Sequence, residues 1–236
     1  MKMKKILTIV ICSLCYAITL IGQNNGMNLS FNENGRFRII QFTDIHYVID
    51  SAESEKSLKL MKDVLAIEKP DMVVFTGDII TSRPQKRGWD EVLGIVIEQK
   101  LPYAVVLGNH DDEHDWTREE IISYISTKPY SLVEKGPAYL KGVGNYVLEV
   151  KDRETNTVEA LLYCMDSNAY NQIGDQKGYD WFGYDQVEWY RKNSASYTKR
   201  NQGHPYPALA FFHIPLQAYT LLSATTRNYA HIRPVS

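Results

Sequence analysis

The chain has 236 residues, 44% hydrophobic and 23% charged, with 26 Lys+Arg against 28 Asp+Glu and a formal net charge of −2. That length and balance fit one globular domain with a single sizeable core and exclude collagen, coiled-coil and disordered-tail classes. The near-neutral charge also excludes nucleic-acid binding driven by bulk positive charge.

Met1 to Lys5 carries three lysines, and residues 6–22 form an uncharged, mainly apolar run. A basic start before such a run reads as a secretory signal peptide. The run sits at the short edge of what spans a bilayer, so an uncleaved anchor is the other reading. Removing residues 1–22 leaves 23 basic against 28 acidic residues, a net −5. The expectation is an exported protein, periplasmic or extracellular, with no membrane contact after cleavage. Of the three cysteines only Cys164 then remains, too few for an internal disulfide. It lies in the apolar stretch Leu161-Leu162-Tyr163-Cys164-Met165 and reads as a buried strand residue.

Residues 23–35 read as a linker with an N-terminal hairpin strand, Asn34-Gly35 supplying the turn signal. Residues 36–43 read as a strand that stops at Asp44. A helix follows, with Leu58, Met61, Leu65 and Ile67 as its apolar positions, ending before Pro70. Met72 to Thr76 is a short apolar strand that stops at Gly77-Asp78. A second helix is expected from about Trp89 to Lys100, then a buried strand from Tyr103 to Leu107 that stops at Gly108-Asn109-His110-Asp111. Thr117 with Glu120 three residues on marks a capped helix start. Strands are expected at 146–150 and 157–165, a helix from about Asp185 to Lys199, and a last buried strand at 207–212 that stops at His213. Alternation of strands and helices predicts an α/β fold with a partly parallel sheet.

The pattern of stops carries the functional argument. Open α/β sheets bind ligands outside the carboxyl ends of their strands. Four expected strands end there in Asp44-x-His46, Asp78, Asn109-His110 and His213. Parallel strands lie about 5 Å apart, so these groups can share one small volume. Carboxylates brought that close repel unless a cation lies between them, which points to a metal site, and to two metals.

Phe42-Thr43-Asp44-Ile45-His46, Thr76-Gly77-Asp78, Gly108-Asn109-His110-Asp111 and Phe212-His213 resemble the motifs of the calcineurin-like metallophosphoesterases, in the exported branch related to purple acid phosphatases. The resemblance covers residues 36–216 and assigns 36–236 to one phosphoesterase domain. It implies a two-sheet β-sandwich flanked by helices (α/β/β/α). It implies Asp44 and His46 on one metal, Asp78 bridging, and Asn109 and His213 on the second, the ions being Mn, Fe or Zn. His110 would face a phosphorylated small-molecule or other phosphoester substrate and protonate the leaving oxygen, while a metal-activated hydroxide attacks phosphorus in line.

Two departures stand out. Three residues after the bridging aspartate, where the family often has Tyr or Asp, this chain has Thr81, so His110 needs another orienting partner, with Asp111 the nearest candidate. The family's closing Gly-His-x-His motif does not follow His213; His231 is the sole histidine beyond it. The alternative expectation is therefore a C-terminally shortened, catalytically silent domain with weak metal or phosphate binding. Bland readings accompany the sharp ones. The acidic run Asp111, Asp112, Glu113 and Asp115 reads mostly as a solvated loop, His114 and His204 as surface residues, and Asp166-Ser167-Asn168 as either cleft wall or turn chemistry.

Overall fold

The computed structural model describes residues 27–174, 178–216, 218 and 219. The expected signal segment at 1–22 and His231 lie outside the described residues. The elements run β1 (Leu29–Ser30), β2 (Ile39–Phe42), α1 (Ala52–Glu68), β3 (Met72–Thr76), α2 (Gln85–Glu98), β4 (Tyr103–Val106), α3 (Arg118–Ser126), β5 (Tyr146–Lys151), β6 (Val158–Cys164), α4 (Tyr184–Arg200) and β7 (Ala208–Phe211).

The strands form two sheets. One is three-stranded and wholly parallel, in the order β2-β3-β4. The other is four-stranded and mixed, in the order β1-β5-β6-β7, with only the β5–β6 pair antiparallel. In the parallel sheet, β3 is central and every one of its residues is buried, as a strand covered on both faces must be. That explains its unbroken Met-Val-Val-Phe-Thr run. By contrast β5 alternates buried and half-buried residues. Between the sheets, Tyr146 of β5 reaches the backbone of β4, its hydroxyl donating to the Val105 carbonyl at 2.9 Å and accepting from the Val105 N–H at 3.1 Å. Leu58, Met61 and Leu65 of α1 and Trp89, Val92, Leu93 and Val96 of α2 share one apolar core with both sheets. Trp189 of α4 joins Leu161, Tyr163 and Met165 in a smaller core on the other side. The result is the α/β/β/α sandwich expected from the sequence.

Several local expectations are corrected. Asn32 to Gly35 does turn, with the Asn32 side chain accepting the N–H groups of Asn34 and Arg36 and Gly35 at φ +65°. It makes no hairpin, because β1 and β2 go to different sheets. β1 itself lies in a stretch that reads as linker. Ile67 is 75% exposed: it follows Leu65 by two residues, roughly 200° round the helix, and so leaves the buried stripe. α2 begins at Gln85, four residues before the apolar pattern starts, since its first turn is polar in sequence. β7 is not a buried strand. Ala208, Leu209 and Ala210 are exposed, and only Phe211 is covered. His114 is half-buried and not a surface residue, whereas His204 is exposed. Cys164 is buried, as expected, and burial pushes its thiol up to about 12.

Candidate metal centre

The three parallel strands end side by side, and their exit loops are stitched to one another by the backbone. The Asp44 N–H donates to the Gly77 carbonyl at 3.0 Å, and the His46 N–H to the Asp78 carbonyl at 2.9 Å. Asp44, His46 and Asp78 all adopt positive φ, at 51°, 47° and 55°. Left-handed backbone is uncommon for residues bearing a Cβ and is held only where the surroundings enforce it. Glycine is required beside them. A Cβ on Gly77 would sit 2.6 Å from the Gly108 nitrogen and from His213 Nδ1, and one on Gly108 would sit 2.1 Å from Asp78 Oδ1.

Asp111 ties these loops together from beneath. Its buried carboxylate accepts the N–H groups of Asp78 (2.9 Å) and Gly108 (2.8 Å) on Oδ2, and of Ile79 (2.8 Å) and Ile80 (3.2 Å) on Oδ1. Burial raises its pKa, and the N–H donors oppose that rise. Asp111 is thus a fully enclosed brace, and not a solvated loop residue or the partner of His110. The second sheet is anchored alongside. Arg118 grips the buried Asp166 carboxylate through Nη2 at 2.5 Å and Nε at 3.2 Å, and also donates to the Gly108 carbonyl at 2.8 Å. The Ser167 hydroxyl accepts the Ile214 N–H at 2.9 Å, and Asn168 donates to the Trp181 carbonyl at 2.9 Å. Residues 166–168 therefore serve turn chemistry that fixes the exit of β7.

Within this frame the Asp78 carboxylate, 5% exposed, is central. His213 Nε2 lies 3.1 Å from its Oδ2, and His46 Nε2 lies 3.9 Å from the same oxygen. Asp44 Oδ1 is 3.8 Å from His46 Nε2. One ligand atom each of Asp44, Asp78 and His213 fall within 4.8 Å of one another. His213 comes from the mixed sheet, not from a neighbour of β3, so the cluster straddles the two sheets. Its Nδ1 donates to the Thr76 carbonyl at 2.8 Å, which leaves Nε2 directed at Asp78, as a donor to the carboxylate when the imidazole is protonated and as a free lone pair when it is neutral.

Burial pushes the Asp78 carboxyl up. The hydrogen bonds from His213 and from the His110 N–H, the latter at 2.8 Å, outweigh it and leave the group below the ordinary range. Burial lowers His213, and its contacts with Asp78 and the Thr76 carbonyl raise it above the ordinary value. Such a set, a buried carboxylate facing two imidazole nitrogens with a second carboxylate near, matches the donors that hold first-row divalent ions.

The family model of the calcineurin-like phosphoesterases matches residues 37–233. The chain belongs to this family. Among curated proteins, the chain is 32% identical over 231 residues to "Probable inactive purple acid phosphatase 29" of Arabidopsis thaliana, covering 85% of this chain and 59% of that protein. It is 33% identical over 221 residues to "Phosphatase DCR2" of Saccharomyces cerevisiae, covering 84% of this chain and 38% of that protein. The chain therefore spans less than two thirds of the length of these relatives. Among solved structures, a dimetal phosphatase from Danio rerio shares the fold, with a TM-score of 0.53 and 15% identity over 77% of this chain and 71% of that one.

Asn109, buried in the loop that follows β4, donates its amide nitrogen to the Tyr170 hydroxyl at 2.9 Å. His110 stands beside His46 with ring centroids 5.5 Å apart. Its Nδ1 meets Glu113 Oε2 at 2.7 Å, and that hydrogen bond raises the imidazole above its ordinary pKa. Glu113 and Tyr170 were not singled out by sequence. Glu113 is hidden in an acidic run of uniform appearance, and Tyr170 is 61 residues away from Asn109 with no local pattern to mark it. Gly77 and Gly108 were visible only as parts of motifs. Their need is steric and shows only when the loops are packed. Trp181 is 40% exposed, whereas Phe182 packs edge-on against Phe212 at 5.4 Å and covers the smaller core.

Proposed function

We propose that this chain hydrolyses phosphoric esters at a centre of two metal ions, Mn, Fe or Zn, with Asp44 and His46 holding the first, Asn109 and His213 the second, and Asp78 between them. The observation that carries this reading is the buried Asp78 oxygen facing both His46 and His213 Nε2, with an Asp44 oxygen within 4.8 Å of Asp78 and His213 ligand atoms. Family membership supports the reaction class. When bound, paired metal ions neutralise charge on the phosphoryl oxygens and lower the pKa of water.

The residues of the chain supply the rest. The Thr76 carbonyl holds His213 with Nε2 outward, and Asp111 fixes the loop that presents Asp78. His110 keeps Nδ1 on Glu113, so Nε2 is the nitrogen able to face substrate and give a proton to the leaving oxygen. The substrate is a phosphorylated small molecule or another phosphoester. Export rests on the basic start and apolar run of residues 1–22. Among the described residues no helix is long and apolar enough to cross a membrane.

The test pairs two variants on the purified protein. His110→Ala is expected to cut hydrolysis of an aryl phosphate by about a hundredfold or more with metal content unchanged. Asp78→Asn is expected to release metal. Retention of two ions by Asp78→Asn, or loss of metal by His110→Ala, contradicts the assigned roles. A second reading, a phosphoesterase-fold domain that binds metal or phosphate weakly without turnover, is favoured by the word "inactive" in the names of Arabidopsis relatives. Substoichiometric metal in the purified protein, with no activity on any ester even when Mn2+ is supplied in excess, would select it.

A further inference from the structure

We infer that Glu113 and Tyr170 are positioning residues, a carboxylate and a phenol that together orient His110 and Asn109. The inference rests on the phosphoester-hydrolase reading of the site and deepens it. Its basis is a run of hydrogen bonds whose donors and acceptors admit one direction. Asn109 Nδ2 donates to the Tyr170 hydroxyl at 2.9 Å, that hydroxyl donates to Glu113 Oε1 at 3.3 Å, and the other Glu113 oxygen receives His110 Nδ1 at 2.7 Å. An ionised carboxylate only accepts, so the single phenolic proton is committed to Glu113 and the phenol oxygen can only accept from Asn109. The Asn109 amide therefore turns its Oδ1 away from Tyr170, leaving that oxygen as the ligand atom. By the same logic His110 carries its proton on Nδ1 and offers Nε2 to the cleft.

The two residues come from opposite sheets. Glu113 follows β4 in the loop that bears Asn109 and His110, with its N–H donating to the His110 carbonyl at 3.4 Å. Tyr170 follows β6, where it bridges Tyr179 and stacks on that ring at 6.0 Å. The Tyr170 ring also meets His110 edge-on at 6.4 Å. The His110 Nδ1 contact is with Glu113 and with neither Thr81 nor Asp111, whose carboxylate is occupied by backbone amides. Glu113 thus takes the place that neither fills.

The experiment reads three quantities on Glu113→Ala, Glu113→Gln and Tyr170→Phe. They are histidine ring nitrogen signals by NMR in the metal-free protein, Mn2+ affinity by calorimetry, and steady-state kinetics on glycerol phosphate and 4-nitrophenyl phosphate. Glu113→Ala is expected to shift the His110 ring signals and lower kcat by about tenfold to a hundredfold with KM within about twofold. The loss should be larger on glycerol phosphate, whose poor leaving group needs the proton more. Glu113→Gln, which keeps an acceptor for Nδ1–H, should recover part of both. Tyr170→Phe is expected to weaken Mn2+ binding by about tenfold, the usual scale for removing a hydrogen-bond partner of a metal ligand. Wild-type ring signals in Glu113→Ala together with wild-type Mn2+ affinity in Tyr170→Phe would overturn the inference. Absence of turnover in the wild-type protein would sink the hydrolase reading alone, since the NMR and calorimetric arms decide the positioning roles without it.

Discussion

The two sheets solve different problems. The parallel sheet β2-β3-β4 is buried through its centre, braced by α1 and α2, and delivers Asp44, His46, Asp78, Asn109 and His110 from adjacent strand ends. The mixed sheet alternates, leaves much of β7 exposed, and contributes one member of the cluster, His213. A site that spans both sheets needs them held in register, and the parallel sheet supplies the rigidity while polar ties on the mixed side set the alignment. Arg118–Asp166, Ser167–Ile214 and Asn109–Tyr170 are such ties.

Phe75→Ala in the middle of β3 tests the first half of that contrast. Its ring is fully buried between Phe42 and Tyr103, and truncation should cost about 3–5 kcal/mol in urea unfolding. A loss below about 1 kcal/mol would show that the parallel sheet is not the rigid half. Ser167→Ala tests the ties. It leaves the buried Ile214 N–H without its acceptor, at about 1–3 kcal/mol, and should loosen His213 as seen in weaker Mn2+ binding. Unchanged affinity would separate the alignment of β7 from the cluster.

Smaller effects sharpen the picture. On α2, burial raises Asp90 while Lys128, Tyr124 and Lys86 outweigh it, holding the carboxyl at about 2. A folded pKa depressed below its unfolded value contributes stability above the unfolded pKa and loses it as pH falls toward the folded one. The support this group gives should therefore be complete at neutral pH and fade between about pH 4 and pH 2. Thermal scans of Asp90→Asn should show that part of the acid-induced drop missing, and an identical drop in variant and wild type would remove Asp90 from the account. Smallest of all, Leu209→Ala on the exposed face of β7 should change stability by no more than about 0.5 kcal/mol. A larger cost would mean that this face is covered in the full assembly.

Residue patterns alone placed β2 to β7, though not β1, because runs such as Met72 to Thr76 have no other stable use in water than burial on both faces. They also marked which side chains stand at strand ends, since strand length and stop residues are local properties. The helix at 118–126 was legible for the same reason: Thr117 and Glu120 satisfy each other's backbone N–H groups within a single turn. Asp44, Asp78 and His213, whose ligand atoms lie within 4.8 Å of one another, could thus be named from their positions in the chain.

Packing decided what no local pattern encodes. Whether the Asn34-Gly35 turn joins one sheet or passes between two depends on strand partners 121 and 33 residues apart in the chain, as the Leu29–Val150 and Ile39–Met72 pairings show. Ile67 and Leu209 are apolar and exposed because burial belongs to a position on a surface and not to a residue type. Asp111 and Glu113 share one acidic run, yet one is enclosed by four amides and the other meets an imidazole across the loop. Sequence fixes which groups can bear charge or donate a proton; only the folded arrangement sets the distances and the dielectric that decide which partner each of them finds.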